Sequence, residues 1–269
     1  MRKMIVLFGA MLLALAPATS ALAQTAEGQV VVVHGVPDLT VDVYVNGDLT
    51  LEDFEFGTVA GPLTLPAGTY ELEVYPAGAD PSATDPALSG SADLPGGAYA
   101  TIAAYLQEGG DPTLGVFVEN NSSIDAGNAR ITARHLADFG AVDILANDGA
   151  VWESVVNGVG ADIAVPADTY NVKITAAGDP DTVAFDADLN LAEGTNTIAY
   201  AIGSVAGDTF QVVANTITGL QSAPDGVPTG TAGLAGTSNT LPLLLIAAGL
   251  AALTAGAAGA TVVARRERA

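Results

Sequence analysis

His34 and His135 are the only imidazoles in the chain. Near neutral pH a histidine can carry a proton, activate a hydroxyl or ligate a metal, but each task needs partners. A nucleophilic triad wants a serine on a sharp exposed turn, as in G-x-S-x-G, with oxyanion donors beside it. The sequence contains no G-x-S-x-G. A zinc site wants three or four ligands. One histidine in each half of a chain without cysteine supplies too few. Both histidines are therefore expected to be strand residues bonded to a neighbouring carboxylate or carbonyl. The missing cysteines also exclude disulfides and thiolate chemistry.

Carboxylates are the abundant alternative. Asp42 alternates with Val41 and Val43, and Asp143 with Val142 and Ile144. Each could pair with its histidine or cap a turn. Acid–base catalysis would want a second carboxylate across a cleft, and nothing in the spacing pairs one, so the expected role is structural. Asp179, Asp181, Asp186 and Asp188 could offer oxygens to calcium. They lack the D-x-[DN]-x-[DN]-G spacing and distal glutamate of a calcium loop, so they are expected to form a solvated acidic strand edge, which also discourages edge pairing. No catalytic, cofactor-binding or metal-binding residue is assigned, no cofactor is expected, and the chain is expected not to be an enzyme.

The elements carrying these residues occur twice. Residues 34–47 read H-G-V-P-D-L-T-V-D-V-Y-V-N-G and residues 135–149 read H-L-A-D-F-G-A-V-D-I-L-A-N-D-G. His34 then matches His135, Asp42 matches Asp143 and Asn46 matches Asn147 at an offset of 101. Further along, L-T-L-P-A-G-T-Y-E-L-E-V-Y-P-A-G at 63–78 matches I-A-V-P-A-D-T-Y-N-V-K-I-T-A-A-G at 163–178, at an offset of 100. A constant offset marks an internal repeat, with units at 28–121 and 129–217. The linker between them is short, so the units are expected to sit close together.

The period inside each unit is two. Tyr70, Leu72 and Val74 alternate with Glu71, Glu73 and Tyr75, and Tyr170, Val172 and Ile174 repeat the pattern. Strict alternation places the first set on a core face. Turn signals such as Asn46-Gly47 and Pro95-Gly96-Gly97 recur every eight to twelve residues. The fold class expected is all-β, two tandem antiparallel sandwiches.

The order V-V-V-H-x-x-P-D-x-x-x-V-D-V-Y-V-N-G, then F-G-T-V, then L-P-A-G-T-Y-x-L-x-V-Y-P-A-G resembles the bacterial and archaeal domain of unknown function 4397 family. The resemblance covers His34–Gly47, Phe56–Val59 and Leu65–Gly78. The second unit departs from it, with Phe139-Gly140 where Pro37-Asp38 would stand and no F-G-T-V. The resemblance implies immunoglobulin-like sandwiches in a secreted or surface protein, often in tandem, and implies no reaction.

The two ends speak for location. Met1-Arg2-Lys3, an apolar run to about Ala16 and an Ala21-x-Ala23 exit have the layout of a secretory signal peptide, residues 1–23. Residues 218–240 are rich in Gly, Pro and small polar residues and read as a flexible stalk. Residues 241–264 carry no charge and are followed by the basic tail 265–269. That is the pattern of a transmembrane helix with its tail in the cytoplasm. No L-P-x-T-G sorting motif accompanies it.

Residues 24–240 hold 29 acidic and three basic residues, a formal charge of −26. This argues against nucleic acid and anionic membrane surfaces as partners. The function expected is a membrane-anchored structural or interaction protein of the cell surface, binding an extracellular protein or envelope polymer. The alternative is an extracytoplasmic ligand-binding or sensing module for a sugar or divalent cation. An aromatic-lined pocket of Tyr44, Tyr75, Tyr99 or Trp152 would favour the alternative. Mature protein should begin at Gln24; N-terminal sequencing that finds Met1 on the exported chain would refute the leader.

Overall fold

The computed structural model describes residues 26–222. The expected signal peptide, the membrane span, the basic tail and most of the stalk lie outside the described residues. Among the described residues there is no helix, hence none long and apolar enough to cross a membrane.

Sixteen strands make the fold of the described residues. The first unit contains β1 (Glu27–Gly35), β2 (Val41–Val45), β3 (Asp48–Phe54), β4 (Val59–Pro66), β5 (Gly68–Pro76), β6 (Leu88–Leu94), β7 (Tyr99–Leu106) and β8 (Pro112–Glu119). The second contains β9 (Asn128–His135), β10 (Val142–Ala146), β11 (Gly149–Val155), β12 (Val159–Pro166), β13 (Thr169–Ala176), β14 (Asp179–Asn190), β15 (Asn196–Ile202) and β16 (Gln211–Ile217). Each unit is a pair of four-stranded sheets. The outer sheets run β3-β2-β5-β6 and β11-β10-β13-β14, and the inner sheets run β4-β1-β7-β8 and β12-β9-β15-β16.

The expectation of β-sandwiches agrees with this architecture; the immunoglobulin strand order does not. An immunoglobulin constant domain sets A-B-E-D against C-F-G in seven strands. Here each unit has eight, and its first strand lies inside a sheet, parallel to the seventh: Val31 faces Thr101, and Ile131 faces Thr197. The reason lies in β1. Val30, Val31, Val32 and Val33 are all buried, and a run that is apolar on both faces fits a central strand covered on both sides.

Both faces of the central strands of the inner sheets are covered because the sandwiches pack on each other. Val30 and Val32 face the first sandwich's own core, with Val43, Leu72 and Ile102. Val31 and Val33 face the other way, into a junction core with Tyr99, Tyr105, Ile198, Tyr200 and Ile202. The Tyr200 hydroxyl, fully buried there, shares a 2.7 Å hydrogen bond with the Thr101 hydroxyl across the junction. Asn215 Nδ2 donates to the Tyr99 hydroxyl at 2.7 Å. Arg134 donates to Glu119 at 2.8 Å while its guanidinium lies 4.8 Å from the Phe117 ring centroid. Arg130 donates to the carbonyls of Asn120 and Ser122, fastening the linker.

The junction also accounts for where the second unit departs from F-G-T-V. Gly57 and Gly158 occupy the same place, each donating its amide to the histidine carbonyl of its own unit. The residue before differs. Phe56 packs into the junction core, whereas Asn157 donates to the carbonyls of Leu106 in the first unit and Ala137 in the second.

Because the units share a core, calorimetry should show one unfolding transition for both; two separable transitions would contradict a shared core. Arg134→Ala leaves the fully buried Glu119 side chain without its cation and should cost about 3–5 kcal/mol, a fall of about 6–20 °C in Tm when the two sandwiches unfold together. A Glu119→Leu/Arg134→Met pair should cost less than Arg134→Ala alone.

Candidate functional site

The residues that could do chemistry occupy matching places in the two units, and most hold backbone. Asp42 accepts the amides of Asp53 and Gly78, each at 2.9 Å. Asp143 accepts those of Ser154 at 2.8 Å and Gly178 at 2.9 Å. Asp53 and Ser154 have φ of 50° and 54°, the left-handed region disfavoured for non-glycine residues. The carboxylate thus pins a kinked edge strand and the turn after the fifth strand at once. Those two amides hold Asp143 below the usual carboxylate range. Asn46 and Asn147 sit in left-handed hairpin turns, and their side chains accept the amides of Glu71 and Asn171. The hydroxyls of Tyr70 and Tyr170 donate to the carbonyls of Pro66 and Pro166.

The acidic group of the second unit does not converge. Asp179 accepts from the Thr182 hydroxyl and the Asp181 amide. Asp186 and Asp188 share the amide nitrogen of Asn171, with Lys173 Nζ 4.0 Å from Asp186. Among the described residues no group of three or more His, Asp or Glu side chains is placed to hold a metal ion.

The histidines are buried, each 1% exposed. His34 shares the interior face of β1 with Val30 and Val32, and its ring stacks on Phe54 at 5.8 Å. Its Nε2 lies 2.8 Å from the Leu39 carbonyl. His135 Nε2 lies 3.1 Å and 3.0 Å from the carbonyls of Phe139 and Gly140. A carbonyl only accepts, so Nε2 carries the proton in each ring and Nδ1 is left as a bare acceptor. Both Nδ1 atoms are buried without a partner. Burial lowers both imidazoles from their ordinary range, against the opposite pull of the carbonyls and, for His135, of Glu108.

Each histidine borders an apolar cavity between the sheets of its own sandwich. The first, about 260 Å³, is lined by His34 with Val43, Leu51, Leu72, Ala100 and Ile102. The second, about 190 Å³, is lined by His135 with Ile144, Trp152, Val172, Phe185 and Ala199. Of the four aromatics singled out in the sequence, only Trp152 faces such a cavity. Tyr99 is in the junction core, and Tyr44 and Tyr75 stack edge to face at 5.3 Å on the other side of the first outer sheet. A shallower groove of about 320 Å³ follows the junction past Glu27, Gln29, Tyr99 and Asn121.

The sequence reading missed the Arg134–Glu119 pair and the cavities. A signal for the pair existed. Only three basic residues lie within 24–240, and two of them, Arg130 and Arg134, fall on one strand beside the linker.

The class defined by fold and site is an all-β protein of two duplicated sandwiches whose recurring polar residues secure backbone. Residues 28–145 match the family described as "Domain of unknown function (DUF4397)", a span covering the first sandwich, the linker and the second unit as far as β10. No curated protein matches the chain.

The imidazoles give a pH signature. The unfolded chain takes up two protons near pH 6.5 that the folded chain resists. Their contribution to stability is therefore complete above about pH 6.5 and lost as pH falls through the lowered folded-state values. Chemical denaturation between pH 7.5 and about 5, above the carboxylate range, should show stability falling as pH falls. His34→Gln should flatten that slope. An unchanged slope would contradict the buried neutral imidazole.

Proposed function

We propose that this chain is a non-enzymatic structural or interaction module of the cell surface, exported by its leader and retained by its C-terminal apolar segment. The observation that carries this reading is the use made of the reactive residue types. In both units aspartate, asparagine and tyrosine are bonded to backbone, and the histidine donates to a carbonyl. A duplicated set of clamps and a shared core suit a rigid spacer that presents its turns to a partner, an extracellular protein or an envelope polymer. The acidic surface keeps such a body soluble and away from anionic polymers.

The test is made in cells. Truncation before Leu241 should release the protein into the medium, and deleting the gene should weaken attachment of cells to their neighbours or to a surface. The anchored chain should restore attachment and the secreted form should not. Full restoration by the secreted form, or attachment unchanged by deletion, would overturn the reading.

A further inference from the structure

We propose that β8 is an interface for a second copy of this chain, which lays its own β8 antiparallel against it across a two-fold axis at Val116. This goes beyond a module with an unnamed partner. It rests on one strand edge and not on where the chain resides, so either reading can fail without the other.

Four sheets leave eight edge strands among the described residues. An edge offers unpaired amides and carbonyls to another strand, and proteins blunt it with charge, proline or a bulge. Seven of the eight are blunted or expose no large apolar side chain. β3 and β11 kink at Asp53 and Ser154 beside register shifts. β14 carries its aspartates and further shifts, and β4 holds Pro62 in mid-strand. β12 bears Asp162 at its middle, β6 exposes Ser89, Ser91 and Asp93, and β16 exposes only Ala214 and Thr216. β8 has none of these devices. Its ladder with β7 runs without a shift, its one proline is the first residue, and its one charge is the buried Glu119 at the end. Val116 and Val118 on it are nevertheless 38% and 57% exposed.

The register follows from the hairpin. Gln107 donates to the Asp111 carbonyl where β7 and β8 meet. Bonding alternates along an antiparallel ladder. Thr113, Gly115 and Phe117 therefore bond to β7, and the amides and carbonyls of Leu114, Val116 and Val118 point to the free edge. An antiparallel copy centred on Val116 sets Val116 opposite Val116 and Leu114 opposite Val118, apolar pairs on one face. Asp111 then falls opposite Asn121, which carries no charge. The contact is isologous and closes, because both copies give the same edge.

Charge selects the occupant. Residues 24–240 carry a formal charge of −26, so two copies repel over most of their surface and can approach only on a neutral, apolar side. β8 lies on such a side, with β12 alongside it. Asn157, before β12, donates to the Leu106 carbonyl at the closed end of the hairpin, and Asn120, after β8, donates to Asp162 at 2.9 Å. The carboxylates there are paired, Glu119 with Arg134 at 2.8 Å and Asp162 with Arg130 at 3.5 Å. That places two of the three basic residues of 24–240 on this side. Five of the seven exposed large apolar side chains among the described residues lie there too, Val116 and Val118 with Val156, Val159 and Ile163.

The chain has no cysteine, so one introduced thiol reports one contact. Opposed residues that exchange both backbone bonds lie about 5.5 Å apart at Cα, within reach of a disulfide. We would oxidise the full chain carrying Val116→Cys in detergent solution, beside Leu49→Cys on β3 and Val183→Cys on β14, positions 46% and 49% exposed. The expected result is a disulfide-linked dimer from Val116→Cys at least tenfold faster than from either control. Adding Val118→Lys, an exposed substitution that puts charge on the edge, should slow that linkage at least tenfold and leave cooperative unfolding intact. Equal rates at the three positions would overturn the proposal, as would linkage undiminished by Val118→Lys. A Val116→Cys chain that stays unlinked, as a foreign strand or another segment of this chain on β8 would leave it, overturns it as well.

Discussion

The central strands of the inner sheets have no wet face, and the rest of the molecule follows from that. Every residue of β7 is buried, as are Val30 to Gly35 of β1 and nearly all of β15. Strands of this kind need cover on both sides. The outer sheets supply one side, and each sandwich supplies the other to its neighbour. Separating the units would expose Val31, Val33, Tyr99, Tyr105, Ile198, Tyr200 and Ile202, at about 1.5–3 kcal/mol for each large apolar side chain. A closed junction must in turn satisfy most of the polar groups it takes from water, and here only Glu119 Oε1 and Arg134 Nε are left buried without a partner among the described junction side chains. Hence the Tyr200–Thr101 and Tyr99–Asn215 bonds, and the Arg134–Glu119 pair at its edge.

Duplication copied the devices that hold each sandwich and changed those that join or hollow it. Asp42 and Asp143, Asn46 and Asn147, Tyr70 and Tyr170 make the same bonds in both units. The junction cannot be so symmetric, because the two units meet there as different surfaces. Phe56 fills where Asn157 bonds. The interior walls differ too, through Leu51 against Trp152 and Ile102 against Ala199, while His34 and His135 keep the same bond to the loop that follows their strand.

The charge distribution follows from the same packing. Arg130, on β9, is buried against the linker carbonyls, and Arg134 is covered by Glu119 and Phe117. Lys173 is left among the aspartates, with Asp148 bonded at 2.6 Å and Asp186 at 4.0 Å, which raises its ammonium above the usual range. The outer surface is thus almost free of unpaired positive charge. Self-repulsion across it is screened by salt over about 8–10 Å.

Local pattern determined the strands, the duplication and the structural part of the polar residues. Alternation at Tyr70–Val74 places a core face without tertiary knowledge, because side chains on a strand alternate by geometry. The Asn46-Gly47 pair carries its turn, because both residues tolerate a positive φ. The spacing of His34, Asp42 and Asn46 from their counterparts revealed the repeat. Strand order was beyond such reasoning. Whether the run Val30–Val33 lies at an edge, as an immunoglobulin first strand would, or at the centre beside β7 depends on what covers its second face. That cover comes from Ile198, Tyr200 and Ile202, well over a hundred residues away. The bond of each histidine to a carbonyl rather than a carboxylate, the meeting of Arg134 with Glu119 and the space between the sheets are decided in the same way. Each depends on how separate strands come together in three dimensions, and no local spacing encodes that.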